Sequence, residues 1–142
     1  MLRYPLTHPE ILAALGQAGH GSQVLIADGN YPFVTGTYRD ARRVYLNLAP
    51  GLPLVTDVLR VLLGAIPVEM ARVMLPDSGE EPPIFDEFRA LLPAGLELYG
   101  LSRHDFYAAA RSPDLALAIA TGEQRVYANI LLTIGVVPPP SP

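Results

Sequence analysis

The sequence predicts an α/β fold in a single domain, built on a mostly parallel sheet. Two short runs, Val24 to Ala27 and Leu115 to Ala120, are uniformly apolar, as strands covered on both faces require. Around them, segments with apolar residues at helical spacing alternate with further strand-like runs, the order that generates α/β architecture. At 142 residues the chain has the usual length of one domain and enough apolar residues to bury a core.

The elements follow in order. Thr7 and Glu10 form a capping-box pattern, and Pro9 is tolerated in a first helical turn, so a helix is expected to begin here. Ile11, Leu12, Leu15 and Ala18 then recur at helical spacing, and Gly19 offers a left-handed stop. His20 falls just beyond that helix. After the Val24 strand, Asp28 occupies a strand's carboxyl end, the edge at which open α/β sheets bind ligands. Val44 to Leu48 alternates with a period of two and reads as a strand; Leu54 to Leu63 carries an apolar stripe opposite Asp57 and Arg60 and reads as an amphipathic helix.

Val68 to Leu75 is the next expected strand, followed by an exposed loop through Asp77-Ser78-Gly79-Glu80-Glu81-Pro82-Pro83. Ile84 to Leu92 returns to helical spacing, Leu96 to Tyr99 forms a short strand, and Ser102 caps a helix that runs to about Arg111. Thr121-Gly122-Glu123 is too short for a crossover helix. The last two strands, Leu115 to Ala120 and roughly Val126 to Ile134, are therefore expected to pair differently from the rest. The domain spans residues 1–137, and the proline-rich residues 138–142 form a flexible tail.

Composition excludes several function classes. Cysteine is absent, which removes disulfides, thiolate nucleophiles and cysteine-based zinc sites. No His/Asp/Glu spacing resembles a metal site, so no metal is expected. The formal charge is −4, and the ten basic residues are scattered apart from a short cluster between Arg39 and Arg43, so nucleic acid is not an expected partner. The longest apolar region, Leu52 to Leu75, is interrupted by Asp57, Arg60, Pro67, Glu69 and Arg72, which argues against a membrane span. Two prolines and a histidine near the N-terminus do not fit a signal peptide, and an intracellular location is expected. Half of the residues are hydrophobic, which points to apolar surface shared with another subunit.

Five residues stand out as candidates for chemistry. His20, set in Gly19-His20-Gly21, is the leading acid–base candidate, since imidazole exchanges protons near neutrality; the alternative is a turn histidine facing solvent. Asp28 either binds ligand or orients His20, or else closes its strand into a turn with Gly29. Tyr127 and Asn129 are two apart and would share one face of a strand, as a ligand floor or as a solvated edge. Arg103 opens a helix whose dipole prefers anions, which suggests a ligand or carboxylate partner; the alternative is a solvated helix-start arginine. The glycines of Gly16-Gln17-Ala18-Gly19-His20-Gly21 follow a helix in the reverse of the dinucleotide order, and no serine has nucleophile-elbow context.

In combination, Gly19-His20-Gly21, Ile26-Ala27-Asp28-Gly29-Asn30-Tyr31-Pro32, Phe106-Tyr107, Thr121-Gly122-Glu123 and Tyr127-Ala128-Asn129-Ile130-Leu131-Leu132 resemble the ribose pyranase and fucose mutarotase (RbsD/FucU) family. The resemblance implies a three-layer sandwich that assembles into a ring-like homo-oligomer, often a decamer, with monosaccharide pockets at subunit contacts. It implies cofactor-free isomerisation of a reducing sugar in the cytoplasm, with His20 as the acid–base group, Asp28 as a sugar-binding carboxylate, and Tyr127, Asn129 and Arg103 holding the ring. Arg103, Phe106-Tyr107 and the Ala-Asp-x-Asn-x-Pro segment are similar to the fucose mutarotase branch, whereas Ala128 is similar to the ribose pyranases and Glu69 stands where the fucose branch tends to carry aspartate. L-fucose is the expected substrate, D-ribose the alternative; a non-catalytic sugar-binding protein and a ring scaffold with a vestigial pocket are the competing classes.

Overall fold

A computed structural model describes residues 1–142. Its elements are α1 (Pro9–Gln17), β1 (Gln23–Ala27), β2 (Arg42–Tyr45), α2 (Val55–Leu63), β3 (Val68–Met74), α3 (Ile84–Leu91), β4 (Leu98–Leu101), α4 (Arg103–Ala110), β5 (Leu115–Ala120) and β6 (Ile130–Ile134). The six strands form one sheet in the order β2-β5-β1-β6-β3-β4. β1, β5 and β2 are mutually parallel, as are β3 and β4, while β6 runs antiparallel to both of its neighbours, β1 and β3. Of the last two strands, expected to pair differently from the rest, only β6 does so; β5 lies parallel between β2 and β1 because the sheet order separates it from β6.

Strand alternation sorts side chains onto two faces. Val24, Ile26, Leu117, Ile119, Ile130 and Leu132 face one side, where they pack against Ile11 and Ala14 of α1, Leu59 and Leu62 of α2, and Phe85 and Phe88 of α3. Leu25, Ala27, Ala118, Leu131 and Met74 face the other side, beneath Phe106 and Ala110 of α4 and Tyr31 of the loop after β1. The result is three layers with both faces of β1 covered, which is why its five residues are all buried. No helix is long and apolar enough to cross a membrane.

The caps explain where helices begin. His8, not Thr7, caps α1: its Nδ1 accepts the Ile11 N–H at 3.3 Å, which displaces the expected capping box by one residue. Asp57 accepts the Leu54 N–H at 3.1 Å to close the start of α2, and the Ser102 hydroxyl accepts the Asp105 N–H at 3.1 Å to start α4, as expected. The left-handed glycine after α1 is Gly21 (φ 85°), not Gly19; α1 ends instead on extended Ala18. β4 starts later than its apolar pattern indicates because a turn, with Leu96 N–H donating to Pro93 O (3.1 Å), occupies the preceding residues. β2 starts earlier, at Arg42, because it pairs with β5 from that residue onward.

Candidate functional site

Four of the five expected site residues meet at one end of the sheet. Asp28 follows β1, Asn129 immediately precedes β6, Tyr127 lies in the loop before it, and Arg103 is the first residue of α4. With Asn30, Tyr31, Met74, Tyr107 and Val126 they line a pocket of about 190 Å³, room for roughly six waters at about 30 Å³ each and so on the scale of a single sugar ring.

Asp28 is 5 % exposed. Its N–H donates to Asn129 Oδ1 at 2.8 Å, and its Oδ1 accepts the Asn30 N–H at 2.8 Å, so the turn after β1 is tied to the entry of β6. Burial pushes the Asp28 carboxyl above the usual carboxylate range, and the hydrogen bonds from Asn30 and Asn129 offset part of that rise. A buried carboxylate lining a pocket is suited to accept hydrogen bonds from a hydroxylated ligand.

Arg103 Nη2 donates to the Tyr127 hydroxyl at 2.9 Å, and its guanidinium carbon lies 5.8 Å from the centre of that ring. The partner of the helix-start arginine is therefore a phenol and not a carboxylate, which leaves the guanidinium's other donors available to ligand oxygens. Tyr31 forms the inner wall: its hydroxyl donates to Gly36 O at 2.7 Å, its ring centre lies 5.5 Å from that of Tyr107, and burial, reinforced by Tyr107, raises its pKa. Met74, Tyr107 and Val126 give the pocket an apolar flank.

Tyr127 and Asn129 converge by a route other than the expected one. β6 begins only at Ile130, and Tyr127 sits at φ 60°, a left-handed conformation incompatible with a strand. Their shared direction comes from this kinked loop. Ala128, between them, is fully buried in the core, so its small size reports packing and not contact with the pocket.

His20 is elsewhere. It precedes β1, while Asp28 follows it, and the five residues of β1 at about 3.3 Å each put the two groups on the order of 15 Å apart or more, at opposite ends of the strand. Asp28 does not orient His20. The partner is Glu69 of β3, whose carboxylate oxygens lie 3.0 and 3.1 Å from His20 Nε2. The pair is open to solvent, with the His20 side chain 59 % exposed. A single chain thus carries a polar-lined pocket at one end of the sheet and an imidazole–carboxylate pair at the other.

Sequence reasoning did not find the pairing of His20 with Glu69, which are 49 positions apart on β3 and the turn before β1, nor the Arg103–Tyr127 bond. No local signal encodes either. A more open concavity of about 380 Å³ adjoins the pocket through Asn30 and is lined by Gly29, Asn47, Ala49, Pro50 and Thr121-Gly122-Glu123-Gln124. The presence of the Thr-Gly-Glu motif in this wall is the one sequence cue to it.

Comparison with known proteins gives a consistent result. Residues 1–137 match the model of the RbsD / FucU transport protein family. A D-ribose pyranase of Variovorax paradoxus is 36% identical over 141 residues, covering 96% of this chain and 98% of its own. A fucose mutarotase of Danio rerio is 32% identical over 143 residues, covering 92% and 90%. Among solved structures, Bacillus subtilis RbsD complexed with D-ribose and the Streptococcus pneumoniae fucose mutarotase in complex with L-fucose each superpose with a TM-score of 0.82 at 26% identity, over 96% of this chain and 99% of theirs.

Proposed function

Because the chain belongs to the RbsD / FucU family, we propose that it is a cytoplasmic, cofactor-independent mutarotase that interconverts the anomers of a reducing monosaccharide, with L-fucose as substrate. The observation that carries this reading is the pocket in which a buried carboxylate (Asp28), a guanidinium (Arg103), a phenol (Tyr127) and an amide (Asn129) converge at the scale of one sugar. The apolar flank of Met74, Tyr107 and Val126 supports a 6-deoxy sugar, whose methyl group needs an apolar neighbour.

The reaction asks for proton transfers alone. Opening a hemiacetal removes the proton of the anomeric hydroxyl and delivers one to the ring oxygen as the bond between that oxygen and the anomeric carbon breaks. Closure on the other face of the aldehyde reverses both transfers. Asp28, Arg103, Tyr127 and Asn129 hold the ring; His20, the acid–base group, exchanges the proton at one of the two reacting oxygens. Since each chain has its pocket and its His20 at opposite ends of the sheet, the complete site forms between copies. His20, backed by Glu69, enters the pocket of a neighbour in a homo-oligomeric ring such as a decamer.

D-ribose pyranase is the second reading, favoured by the higher identity to a pyranase than to a fucose mutarotase. Magnetisation-exchange NMR on L-fucose and on D-ribose at equilibrium separates the two. Accelerated exchange between fucose anomers supports the mutarotase, and accelerated pyranose–furanose exchange of ribose alone supports the pyranase. Binding of either sugar without acceleration of any exchange refutes the enzyme and leaves a sugar-binding protein.

A further inference from the structure

We propose that the buried Glu123 and its partner Arg125 are positioning residues that set the kinked loop carrying Tyr127 and Asn129, and through it the affinity for sugar. The inference rests on the assignment of the pocket to a monosaccharide. It absorbs the Thr121-Gly122-Glu123 motif, none of whose residues lines the pocket itself.

The three residues of the motif join three loops. The Thr121 hydroxyl donates to Ala27 O at 2.8 Å and accepts the Glu123 N–H at 3.2 Å. Gly122 accepts the Gly51 N–H at 2.6 Å and donates to Pro53 O at 3.0 Å. Any side chain there would collide with the carbonyl oxygens of Ala49 and Leu52, which is why the position needs glycine. The Glu123 carbonyl accepts the Gly29 N–H at 2.8 Å, beside Asp28. One tripeptide thereby fixes the turn after β1, the loop after β2 and the loop before β6 against each other.

The Glu123 side chain extends that junction toward Tyr127. It is 2 % exposed and is gripped by Arg125 through two parallel bonds, Nε to Oε1 at 3.0 Å and Nη2 to Oε2 at 2.9 Å, while the Arg125 N–H also reaches Oε1 at 3.1 Å. The remaining arm of Arg125 donates to Glu87 Oε1 of α3 at 2.6 Å. A planar fork between two carboxylates fixes direction as well as distance, which a lysine cannot do. Two residues further on, the chain turns through the left-handed conformation of Tyr127, a conformation that persists in a non-glycine residue only when its surroundings impose it. The clamp supplies that constraint on the side where the loop leaves the core. Burial pushes the Glu123 carboxyl up, but the hydrogen bonds and charge of Arg125 outweigh it, so the group remains ionised and the clamp intact at neutral pH.

The test uses Glu123→Gln and Arg125→Lys in the full-length protein. The Tyr127 ring resonances, assigned with Tyr127→Phe, are read without sugar, and KM and kcat are then measured by exchange NMR. In both variants we expect the Tyr127 signal to shift or broaden while that of exposed Tyr45 stays put. KM should rise about tenfold in Glu123→Gln and less in Arg125→Lys, as loss of charge-assisted bonds to a binding loop implies, with kcat within about twofold of wild type. Unchanged Tyr127 resonances overturn the proposal, as does a fall in kcat at constant KM that tracks a loss of folded protein. Should Glu123→Gln not fold, Arg125→Lys, which retains the charge, decides the matter by the same two readouts. A wild-type protein that neither binds nor isomerises a sugar refutes the functional reading instead, and the Tyr127 resonances still report on the clamp.

Discussion

Mixing two inactive variants tests whether the catalytic site is shared between copies. His20→Ala removes an acid–base group, a class of residue that contributes roughly 10² to 10⁴ in rate. Asp28→Asn preserves shape but removes a buried charge whose hydrogen bonds to a ligand are worth about 1.5–3 kcal/mol, or roughly 10- to 150-fold. His20→Ala should therefore retain about 1% of wild-type exchange or less, and Asp28→Asn between about 1% and 10%. The side chain of His20 is exposed, so its loss leaves the core intact, and Asp28→Asn keeps the shape of the buried side chain and an oxygen to accept the Asn30 N–H. In a 1:1 mixture with subunits exchanged at random, half of the pockets have Asp28, and half of those meet a neighbour with His20. About one quarter of wild-type activity should return. The assay is fucose anomer exchange by NMR, with native mass spectrometry to show that mixed oligomers have formed. Mixed oligomers without recovery would refute the reasoning, because the geometry of β1 gives His20 no pocket in its own chain to serve.

Three further outcomes follow from particular contacts. Asp28 has a folded-state pKa above its ordinary value of 3.8, so the native state binds the extra proton and loses stability as pH rises through that folded value. Asp28→Asn should melt higher than wild type at pH 7, with the difference vanishing below about pH 3.8 in thermal scans; a gap that widens toward acid would contradict this. Glu123 has the opposite sign, its pKa being held below 4.5, so the stability it contributes is complete above that pH and is lost on acidification through the folded value. The penalty of Glu123→Gln, measured by urea unfolding, should accordingly be largest near neutrality and shrink below about pH 4.5. Gly122→Ala drives a methyl group into backbone, including the Leu52 nitrogen at 2.7 Å, and should cost about 1–3 kcal/mol by denaturant unfolding, with an unchanged midpoint arguing that the loop after β2 yields freely.

The two ends of the fold differ in how much of them the sequence discloses. Uniform apolar runs identified β1 and β5 because burial on both faces leaves no polar position, and Ser102 marked the start of α4 because its hydroxyl caps the first turn. The position of Asp28 at the carboxyl end of β1 was legible for a similar reason, and there it both lines the pocket and closes a turn with Asn30. Tyr127 and Asn129 line the same pocket, but their spacing misplaced them on a strand. An apolar run continuing from Val126 looks extended, and nothing local shows that Tyr127 adopts a left-handed turn under restraint from Glu123 and Arg125. The separation of His20 from Asp28 was implicit in the intervening strand, but its consequence depends on sheet order, and the Glu69 contact depends on where β3 sits relative to β1. Pairings of that sequence separation are set by topology, which periodicity does not encode.

The single antiparallel strand also governs how the protein can be made. β6 lies between β1 and β3, so it alone joins the β2-β5-β1 half of the sheet to the β3-β4 half. It follows the other five strands in sequence, so during synthesis it leaves the ribosome after every strand it must unite. Until then the inner edges of β1 and β3 present unpaired backbone and bare apolar faces, the condition under which nascent chains associate wrongly. Assembly of the sheet is thus postponed until β6 has emerged, and the loop carrying Tyr127 and Asn129 is anchored at its β6 end in the same event that closes the sheet.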